Sequence, residues 1–551
     1  MPELAPAAAW KNVTARYPYA GRDAVGPVDL DVRQGERLLL LGPSGSGKST
    51  LLNTLTALIP QTIPATVAGS IRLFGSAVNE CRPDRWAGTV ARFFQDADQT
   101  LCGMRVEDEI AFALENRAIP EQDIVRKVSE AMRRVGLSEA WRRRRTATLS
   151  GGEKQLVALA ATLVQEAPLF VADEPTAHLA PAAAARLHHL LLEESIARSV
   201  LIVDHRLDGL IGSVDRVAVL GVDGEIIAEG QPAPLFRRNQ DLFDRLGIWV
   251  PTASRLDAKL AEAGLAPATP PLTIDGLLRA IDAEGMTARA APVLQNFLAE
   301  HSARASLTPG AEIAARLEKA DCAPLFGPTI LRNISLEIRT GECLGILGAN
   351  GAGKSTLGAS LAGLLRLGSG RRQGAIGGVA FQNSESQFTA GSVREEIVAS
   401  LDRSLPISER LRTAEDIAAA WNLADLAERH PYELSQGQKR RLALATLTAT
   451  ERWRLLVLDE PTAGLDAAGA TMIAGRIEAL ARSGRGIAVI THDMDFALRL
   501  CARSVIVGEG GLLAEGPTVE LLEDRNLVAR AGLAEPVIAP VRRWLRQVPA
   551  C

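Results

Sequence analysis

The segment Gly42–Thr50 has the sequence GPSGSGKST, and the segment Gly348–Thr356 has the sequence GANGAGKST. Each follows a short apolar run, Leu38–Leu41 or Cys343–Leu347, and precedes a stretch with the periodicity of a helix. A phosphate-binding P-loop requires this context, because its backbone N–H groups wrap the phosphates and the helix N-terminus favours an anion. One such loop could arise by chance in a chain with 48 glycines. Two loops in matched frames predict two α/β nucleotide-binding domains.

The side chains of the two loops divide between phosphate and metal binding. We expect Lys48 and Lys354 to contact the β- and γ-phosphates, and Ser49 and Ser355 to bind Mg²⁺. The other loop residues that we expect to bind ATP are Gly42, Ser44, Gly45, Gly47, Thr50, Gly348, Asn350, Gly351, Gly353 and Thr356.

Two carboxylate pairs follow later in each half of the sequence. The apolar runs LFVAD and LLVLD end at Asp173 and Asp459, and Glu174 and Glu460 come next. Such continuous apolar runs are typical of strands that are buried on both faces of a parallel sheet. An aspartate at the end of such a strand can hold Mg²⁺ beside a P-loop. We predict that the glutamates orient or deprotonate the attacking water.

Two histidines and two glutamines also occupy matched places. His205 and His492 each follow an apolar run, and we predict that each contacts the γ-phosphate and the neighbouring glutamate. A lone histidine is usually structural, but the matched position favours the catalytic role. Gln95 and Gln382 are candidate ligands of ATP and Mg²⁺. The two histidines are 287 residues apart, and so are the two glutamines. This spacing indicates a domain duplication rather than a short-period repeat.

The segments LSGGE (149–153) and LSQGQ (434–438) each start a helix. Both fit the capping-box pattern S-x-x-E/Q, so they could be no more than well-capped helices. Their position just before the carboxylate strands favours a second role, in which the serine and the helix N-terminus bind a γ-phosphate. The candidate ATP ligands in these segments are Ser150, Gly151, Gly152, Ser435 and Gly437.

Together these motifs resemble the ATP-binding cassette (ABC) ATPase family in both halves of the chain. The resemblance implies two α/β P-loop domains, each with a parallel-sheet core, an antiparallel β subdomain and a helical subdomain. It also implies ATP and Mg²⁺ as cofactors and an intramolecular head-to-tail pairing, in which each P-loop faces the LSGGE or LSQGQ segment of the other half. Tyr17 matches the adenine-stacking aromatic of the family, and Phe326 is the nearest candidate in the C half.

The two halves depart from the family pattern in different places. Ala180 stands where the family has an aspartate, which the C half keeps as Asp466, and Gln436 replaces a glycine of the signature segment. In a head-to-tail pairing, Gln436 would lie at the site of Lys48 and Ala180 at the site of Lys354. We therefore expect the two sites to hydrolyse ATP at unequal rates.

The sequences that follow Gln95 and Gln382 resemble the energy-coupling-factor (ECF) type of ABC ATPase. Gln99 and Gln387 match a second glutamine in a short coupling helix, although the N-half spacing is one residue short and a polar loop would also fit. The segment Ile248–Ala280 is similar to the C-terminal region of ECF ATPases. The resemblance implies the energising subunit of an importer for a vitamin, a vitamin precursor or a metal ion. It would act at the cytoplasmic face of the cell membrane, with an integral membrane coupling protein and a substrate-binding membrane protein as partners.

Two other functions stay open: the ATPase of a conventional ABC importer or exporter, and a soluble tandem ABC protein that acts on ribosomes or DNA. The 61 basic and 65 acidic residues nearly balance, so we expect no nucleic-acid partner. The six cysteines form no C-x-x-C pair, so neither a zinc nor an iron–sulfur site is indicated. No run approaches the ~20 apolar residues that cross a bilayer, so we expect the membrane part in separate chains.

We expect a first ABC domain in residues 1–235, its C-terminal extension and a linker in 236–320, a second ABC domain in 321–525 and a tail in 526–551. His188 and His189 lie in a helical stretch, where we expect them to form a polar face rather than a metal site.

Overall fold

The computed structural model describes residues 5–78, 81–94, 100–176, 181–192, 198–302 and 309–548, and only the backbone at 181 and 182. The chain divides into two compact units, Met1–Gly285 and Met286–Cys551. The division falls within the segment 236–320 that we assigned from sequence to an extension and linker.

The elements of the first unit follow the expected alternation of strands and helices. Its strands are β1 (Ala8–Arg16), β2 (Val25–Val32), β3 (Arg37–Leu41), β4 (Thr66–Leu73), β5 (Ser76–Ala77), β6 (Val90–Phe93), β7 (Leu169–Asp173), β8 (Ser199–Val203), β9 (Arg216–Leu220) and β10 (Ile226–Gly230). Its helices are α1 (Lys48–Thr54), α2 (Leu58–Gln61), α3 (Val106–Glu115), α4 (Glu121–Val135), α5 (Gly151–Leu163), α6 (Pro181–Leu191), α7 (Pro232–Arg238), α8 (Gln240–Leu246), α9 (Thr252–Glu262) and α10 (Ile274–Ala283).

A six-stranded sheet in the order β10-β9-β3-β8-β7-β6 forms the core of this unit. Neighbouring strands are parallel except for β10, which is antiparallel to β9. Every residue of β7, β8 and β9 is buried, as expected where both faces of a sheet are covered. The strands β2, β1, β4 and β5 form a separate antiparallel sheet, and α3 and α4 pack on α5.

The second unit repeats this arrangement. Its strands are β11 (Ile313–Cys322), β12 (Leu331–Arg339), β13 (Cys343–Leu347), β14 (Leu367–Gln373), β15 (Gly378–Ala380), β16 (Leu455–Asp459), β17 (Gly486–Ile490), β18 (Arg503–Gly508) and β19 (Gly511–Pro517). Its helices are α11 (Thr287–Glu300), α12 (Lys354–Ala362), α13 (Val393–Ser400), α14 (Ile407–Ala420), α15 (Gln436–Thr448), α16 (Ala467–Arg482), α17 (Met494–Leu500), α18 (Thr518–Glu523), α19 (Arg525–Arg530) and α20 (Ala539–Gln547).

The core sheet of the second unit has the order β15-β16-β17-β13-β18-β19, again parallel except for its last strand. The strands β12, β11 and β14 form the antiparallel sheet. In the helical part, α13 packs on both α14 and α15. The first strand of this unit begins at Ile313, before the boundary at 321 that we expected. The predicted fold class, two α/β domains with antiparallel and helical subdomains, is confirmed.

The register of the parallel strands places the catalytic candidates next to each other. Asp173 at the end of β7 pairs with Val203 at the end of β8, and Asp459 pairs with Ile490 in the same way. Ligands of open parallel sheets bind beyond the carboxyl ends of the strands. Among the residues that the structure describes, no helix combines the length and apolar character needed to cross a membrane.

Candidate active sites

The lysine of each P-loop is buried against the start of its own loop. Nζ of Lys48 donates hydrogen bonds to the carbonyl oxygens of Gly42 and Pro43, at 2.8 and 2.9 Å. Lys354 makes the equivalent bonds to the first two carbonyls of its loop at the same distances. Each ammonium group therefore lies inside the loop that we expect to wrap the phosphates.

The last glycine of the first loop cannot be replaced without displacing the backbone. Gly47 has a φ of +92°, and a Cβ atom there would lie 2.0 Å from the carbonyl oxygen of Ala24. Gly353 also has a positive φ, but its Cβ would meet only side-chain atoms, the nearest at 3.1 Å. The loop of the first unit is thus the more tightly constrained of the two.

The serine after each lysine lies beside the strand-end aspartate. Oγ of Ser355 donates to Oδ2 of Asp459 at 2.6 Å, and Ser49 hydrogen-bonds Asp173 in the first unit. Burial raises the pKa of both aspartates, although the serine bonds oppose that shift. A hydroxyl and a carboxylate at this distance are hard oxygen donors of the kind that Mg²⁺ prefers, so the residues fit the expected metal.

The two glutamines cannot be compared in the same way. The side chain of Gln382 is exposed, and Gln95 lies outside the described residues, as do Gln99 and Ala180. Gln387 lies in a single turn of 3₁₀-helix, where its Nε2 donates to the carbonyl of Val379 at 3.2 Å. The expected roles of the glutamines therefore stay predictions.

Each candidate catalytic glutamate contacts the histidine that we expected to accompany it. Nε2 of His205 lies 2.9 Å from Oε1 of Glu174, whereas His492 uses Nδ1, at 2.6 Å from Oε1 of Glu460. Both glutamates have a positive φ, 46° and 50°, and their N–H groups bond the last carbonyl of the adjacent strand. A non-glycine residue in this conformation is uncommon and often marks a functional site.

The charge state of the first pair follows from its surroundings. Burial alone would raise the pKa of Glu174, but the hydrogen bond and charge of His205 outweigh burial and lower it. Burial alone would lower the pKa of His205, but Glu174 outweighs burial and raises it. Each of the two groups therefore stabilises the charged form of the other.

A second buried carboxylate lies beside the histidine of the first unit, and the sequence did not suggest it. Asp204 accepts hydrogen bonds from the Thr176 hydroxyl at 2.8 Å and from the Arg206 N–H at 2.9 Å, and it lies 3.0 Å from Nε2 of His188. His188 is only 3% exposed, so the prediction that it lies on a polar helix face is wrong. The prediction holds for His189, which is exposed. His188 is buried because Asp204, sixteen residues away, gives its imidazole a buried partner.

The second unit lacks this pair. Ala474 lies as far after the end of β16 as His188 lies after the end of β7, and Thr491 directly follows β17 as Asp204 directly follows β8; both residues are buried. Oγ1 of Thr491 donates to Oε2 of Glu460 at 3.3 Å and accepts from the N–H of Asp493 at 3.0 Å. A neutral hydroxyl thus replaces the buried carboxylate, which makes the two sites electrostatically unequal.

The capping boxes predicted in the LSGGE and LSQGQ segments are confirmed. Oγ of Ser150 accepts from the N–H of Glu153, whose carboxylate accepts from the N–H of Ser150 at 2.7 Å. Ser435 and Gln438 form the same reciprocal pair. Both serines stay exposed at the start of their helices, which leaves the N-terminal ends accessible to an anion.

Arg440 is a site residue that the sequence did not single out. Its buried guanidinium donates to the carbonyls of Phe381 at 2.7 Å, Gln382 at 2.6 Å and Asp459 at 3.3 Å. It thereby joins helix α15 to the segment of Gln382 and to the end of strand β16. The only sequence feature that could have pointed to Arg440 is that it is a basic residue two positions after the capping box. Its three acceptors are backbone carbonyl oxygens, which no pattern of side chains in the sequence identifies.

The comparison with known proteins agrees with this geometry. The family model described as "ABC transporter" matches residues 25–177 and 331–463. A Methanosarcina acetivorans protein, named provisionally as an ABC transporter ATP-binding protein, is 31% identical over 99% of this chain and 91% of its own length.

The chain belongs to the ABC transporter family. It is an ABC ATPase with two ATP-binding domains in one polypeptide, and its reaction is ATP hydrolysis. The Bacillus subtilis protein YkoD, named provisionally as an HMP/thiamine import ATP-binding protein, is 32% identical over 93% of this chain and 92% of its own length. The solved structure of RNase-L Inhibitor has a TM-score of 0.60 at 20% identity, covering 95% of this chain and 93% of that chain, which shows a shared fold.

The adenine-stacking candidates of this ABC ATPase differ in exposure. Tyr17 is partly buried, and its hydroxyl lies 3.1 Å from Oγ1 of Thr50 in helix α1. Phe326 is fully exposed and has a φ of 60°. Tyr17 is therefore tied to its P-loop helix, whereas Phe326 has no comparable contact to fix its ring for stacking among those that the structure describes.

Proposed function

We propose that this ABC ATPase is the energising subunit of an ECF-type importer for a vitamin, a vitamin precursor or a metal ion. The observation that carries the proposal is the likeness to YkoD along nearly the whole of both chains. The helices α7–α10, which are appended to the first domain, support it, because they contain the ECF-like segment Ile248–Ala280. The proposed partners are an integral membrane coupling protein and a substrate-binding membrane protein, at the cytoplasmic face of the membrane.

Within the first site, the residues have separable tasks. Lys48 and the backbone N–H groups of its loop bind the β- and γ-phosphates, and Ser49 and Asp173 would hold Mg²⁺. When bound, Mg²⁺ offsets negative charge on the phosphate oxygens. Glu174 accepts a proton from the water that attacks the γ-phosphorus, and the bond between that phosphorus and the ADP oxygen breaks.

His205 has to leave its ion pair with Glu174 for this chemistry, because a carboxylate bonded to an imidazolium is a poorer proton acceptor. A bound γ-phosphate offers the imidazole a second anion within reach of the same loop. We propose that His205 then binds the phosphate and leaves Glu174 to orient the water. Lys354, Ser355, Asp459, Glu460 and His492 have the same tasks in the second site.

We further propose that the domains pair head to tail, as the family resemblance implies. Ser150 would then bind the phosphate held by Lys354, and Ser435 the phosphate held by Lys48. Arg440 supports a link from ATP to the membrane partner, because it joins the helix of LSQGQ to the backbone of Gln382. Closure of the ATP site would thereby move the segment that is expected to face the coupling protein.

The proposal is tested by co-purification followed by transport. The tagged full chain, produced in its native cell, is extracted in mild detergent and the bound proteins are identified by mass spectrometry. A multi-span coupling protein together with a small substrate-binding membrane protein supports the ECF function. Two conventional permease subunits would instead indicate an ordinary ABC transporter, and ribosomes or DNA would overturn a transport function.

The captured complex also provides the functional measurement. After reconstitution in liposomes, uptake of the ligand that co-purifies with the small membrane protein should require ATP on the side of this chain. The matched control is the Glu174→Gln, Glu460→Gln chain, which keeps the fold and the partners but should lose uptake. Uptake that survives in this control would refute the energising role.

A further inference from the structure

An aspartate three residues after the catalytic histidine binds the C-terminal extension of the first unit. Oδ1 of Asp208 accepts the N–H of Thr252 at 2.7 Å, and Oδ2 accepts the hydroxyl of Thr252 at 3.1 Å. Thr252 is the first residue of α9, which belongs to the appended helices and not to the core sheet. The segment 205–208, here called the first switch loop, is thus bonded at one end to Glu174 and at the other to the extension.

The second unit repeats this contact with a different sequence. Asp495 lies three residues after His492, and its Oδ2 accepts the N–H of Val537 at 3.0 Å. Val537 lies two residues before α20, in the tail. The segment 492–495 is the second switch loop. The two aspartates are 287 residues apart, the same separation as the two histidines.

The two contacts share a backbone donor rather than a side-chain donor. Thr252 and Val537 share no side-chain chemistry, and the donor common to both contacts is the backbone N–H of the residue after a proline, Pro251 or Pro536. An arginine of the same tail segment interacts electrostatically with each aspartate, Arg255 in the first unit and Arg542 in the second.

Within the first extension, α7 and α9 are also bonded to each other. The guanidinium of Arg237 in α7 forms two bonds with the buried carboxylate of Asp257 in α9, at 2.7 and 2.5 Å, and a third with the carbonyl of Pro267 at 2.9 Å. Because α9 is bonded both to α7 and to Asp208, a shift that carries these helices together is transmitted to Asp208. In the second unit, Arg542 of α20 donates to Oγ of Ser302, just after α11, at 2.7 Å.

We propose that Asp208 and Asp495 are positioning residues, through which each appended C-terminal element sets the orientation of the catalytic histidine of its own domain. Only two residues separate each aspartate from the histidine, so a displacement of the aspartate moves the imidazole relative to its glutamate. The bond between His205 and Glu174 is 2.9 Å long, and a shift of ~1 Å exceeds the range of a hydrogen bond. Each appended element can thereby respond to ATP hydrolysis in its own domain or control its rate.

This inference rests on the proposed roles of His205 and His492, so its test includes them. In the full chain, Asp208→Ala and Asp495→Ala are each expected to lower kcat for ATP hydrolysis about 10-fold, with KM for ATP unchanged, because a misplaced catalytic group costs up to ~100-fold. Asp208→Asn keeps an oxygen for the Thr252 N–H and should restore most of the turnover.

The chain offers matched controls for both variants. Asp524 caps α19 in the tail, and it accepts the N–H groups of Asn526 and Leu527 at 2.9 and 3.0 Å. Asp524→Ala therefore removes a comparable cap without touching a switch loop. For Thr252→Pro, the control is Glu121→Pro, which places a proline at the first position of α4, a helix that also begins directly after a proline. Both controls should keep kcat.

The outcomes separate this inference from the proposed function. If His205→Ala and His492→Ala keep full turnover, the proposed roles of the histidines are wrong and the inference fails with them. If the histidine variants lose turnover but the aspartate variants match their controls, only the inference is overturned. Hydrogen exchange of residues 203–210 serves where Asp208→Ala is unstable: Thr252→Pro, which removes both donors and suits the first position of a helix, should raise the exchange rate there, and an unchanged rate would refute the contact as a restraint.

Discussion

The buried pair of His188 and Asp204 gives a prediction whose size follows from its contacts. Asp204 is 2% exposed and has three partners: Thr176, Arg206 and His188. Burial alone would raise the pKa of Asp204, but these hydrogen bonds, with His188 first among them, lower it. We expect His188→Leu to reduce the free energy of unfolding of the first unit by about 2–3 kcal/mol. That is less than the ~3–5 kcal/mol lost when a buried pair is broken, because two other donors remain.

Leucine is chosen because it retains most of the volume, so the loss reports the polar contact rather than a cavity. In an Asp204→Asn chain the partner is neutral, and the same His188→Leu change should cost only about 1 kcal/mol. The coupling between the two positions is then about 1–2 kcal/mol. His189→Leu is the matched control, since the neighbouring imidazole is exposed, and its effect should stay within about 0.5 kcal/mol.

Hydrogen exchange in the native state, measured at increasing urea, gives the free energies for each unit of the full chain. Amides of β7 and β8 report on the first unit, and amides of β16 and β17 provide an internal reference that His188→Leu should leave unchanged. Two results would refute the electrostatic account: His188→Leu lowers the free energy of unfolding reported by β8 by less than about 0.5 kcal/mol, or it lowers that free energy equally in the wild-type and Asp204→Asn chains.

Three further predictions concern the ATP sites. Glu174→Gln and Glu460→Gln should lower the rate of ATP hydrolysis to different extents, because only the first site has a second buried carboxylate beside its histidine; equal losses would contradict unequal sites. Gly47→Ala should lower the thermal midpoint of the nucleotide-free chain more than Gly45→Ala, because the Cβ at 47 meets a backbone oxygen at 2.0 Å whereas the Cβ at 45 meets no atom within 4 Å; similar midpoints would show that the loop adjusts. The loss of stability caused by His205→Gln should be largest between about pH 4.3 and 6.5. The pKa of His205 is raised in the folded chain, so the stability that the pair provides is lost as the pH rises through that raised pKa. The pKa of Glu174 is lowered in the folded chain, so the same stability is lost as the pH falls through that lowered pKa. A thermal midpoint difference that is flat from pH 5 to pH 9 would argue against the ion pair.

Features that depend on local sequence were predictable. The P-loops, the strands that end in Asp173 and Asp459 and the capping boxes at Ser150 and Ser435 depend on residue type and spacing within fewer than ten residues. The physical cause lies in the same segment: glycine permits positive φ, continuous apolar runs require burial on both faces, and S-x-x-E/Q satisfies helix N–H groups. The duplication doubled each signal, which is why the fold class could be assigned from sequence.

The features that were not predicted all join segments that are distant in sequence. His188 looked like part of a polar helix face because its partner, Asp204, is in the next strand segment, and a helical pattern carries no information about it. The contacts of Asp208 with Thr252 and of Asp495 with Val537 span 44 and 42 residues, and their common donor is a backbone N–H group. The amino-acid sequence by itself thus determined that the chain is a tandem ABC ATPase, and it predicted which residues face ATP. Only the tertiary structure decided which buried charges surround each histidine and which appended helix restrains it, because these pairings form when the packed sheets and helices bring distant polar groups out of water together.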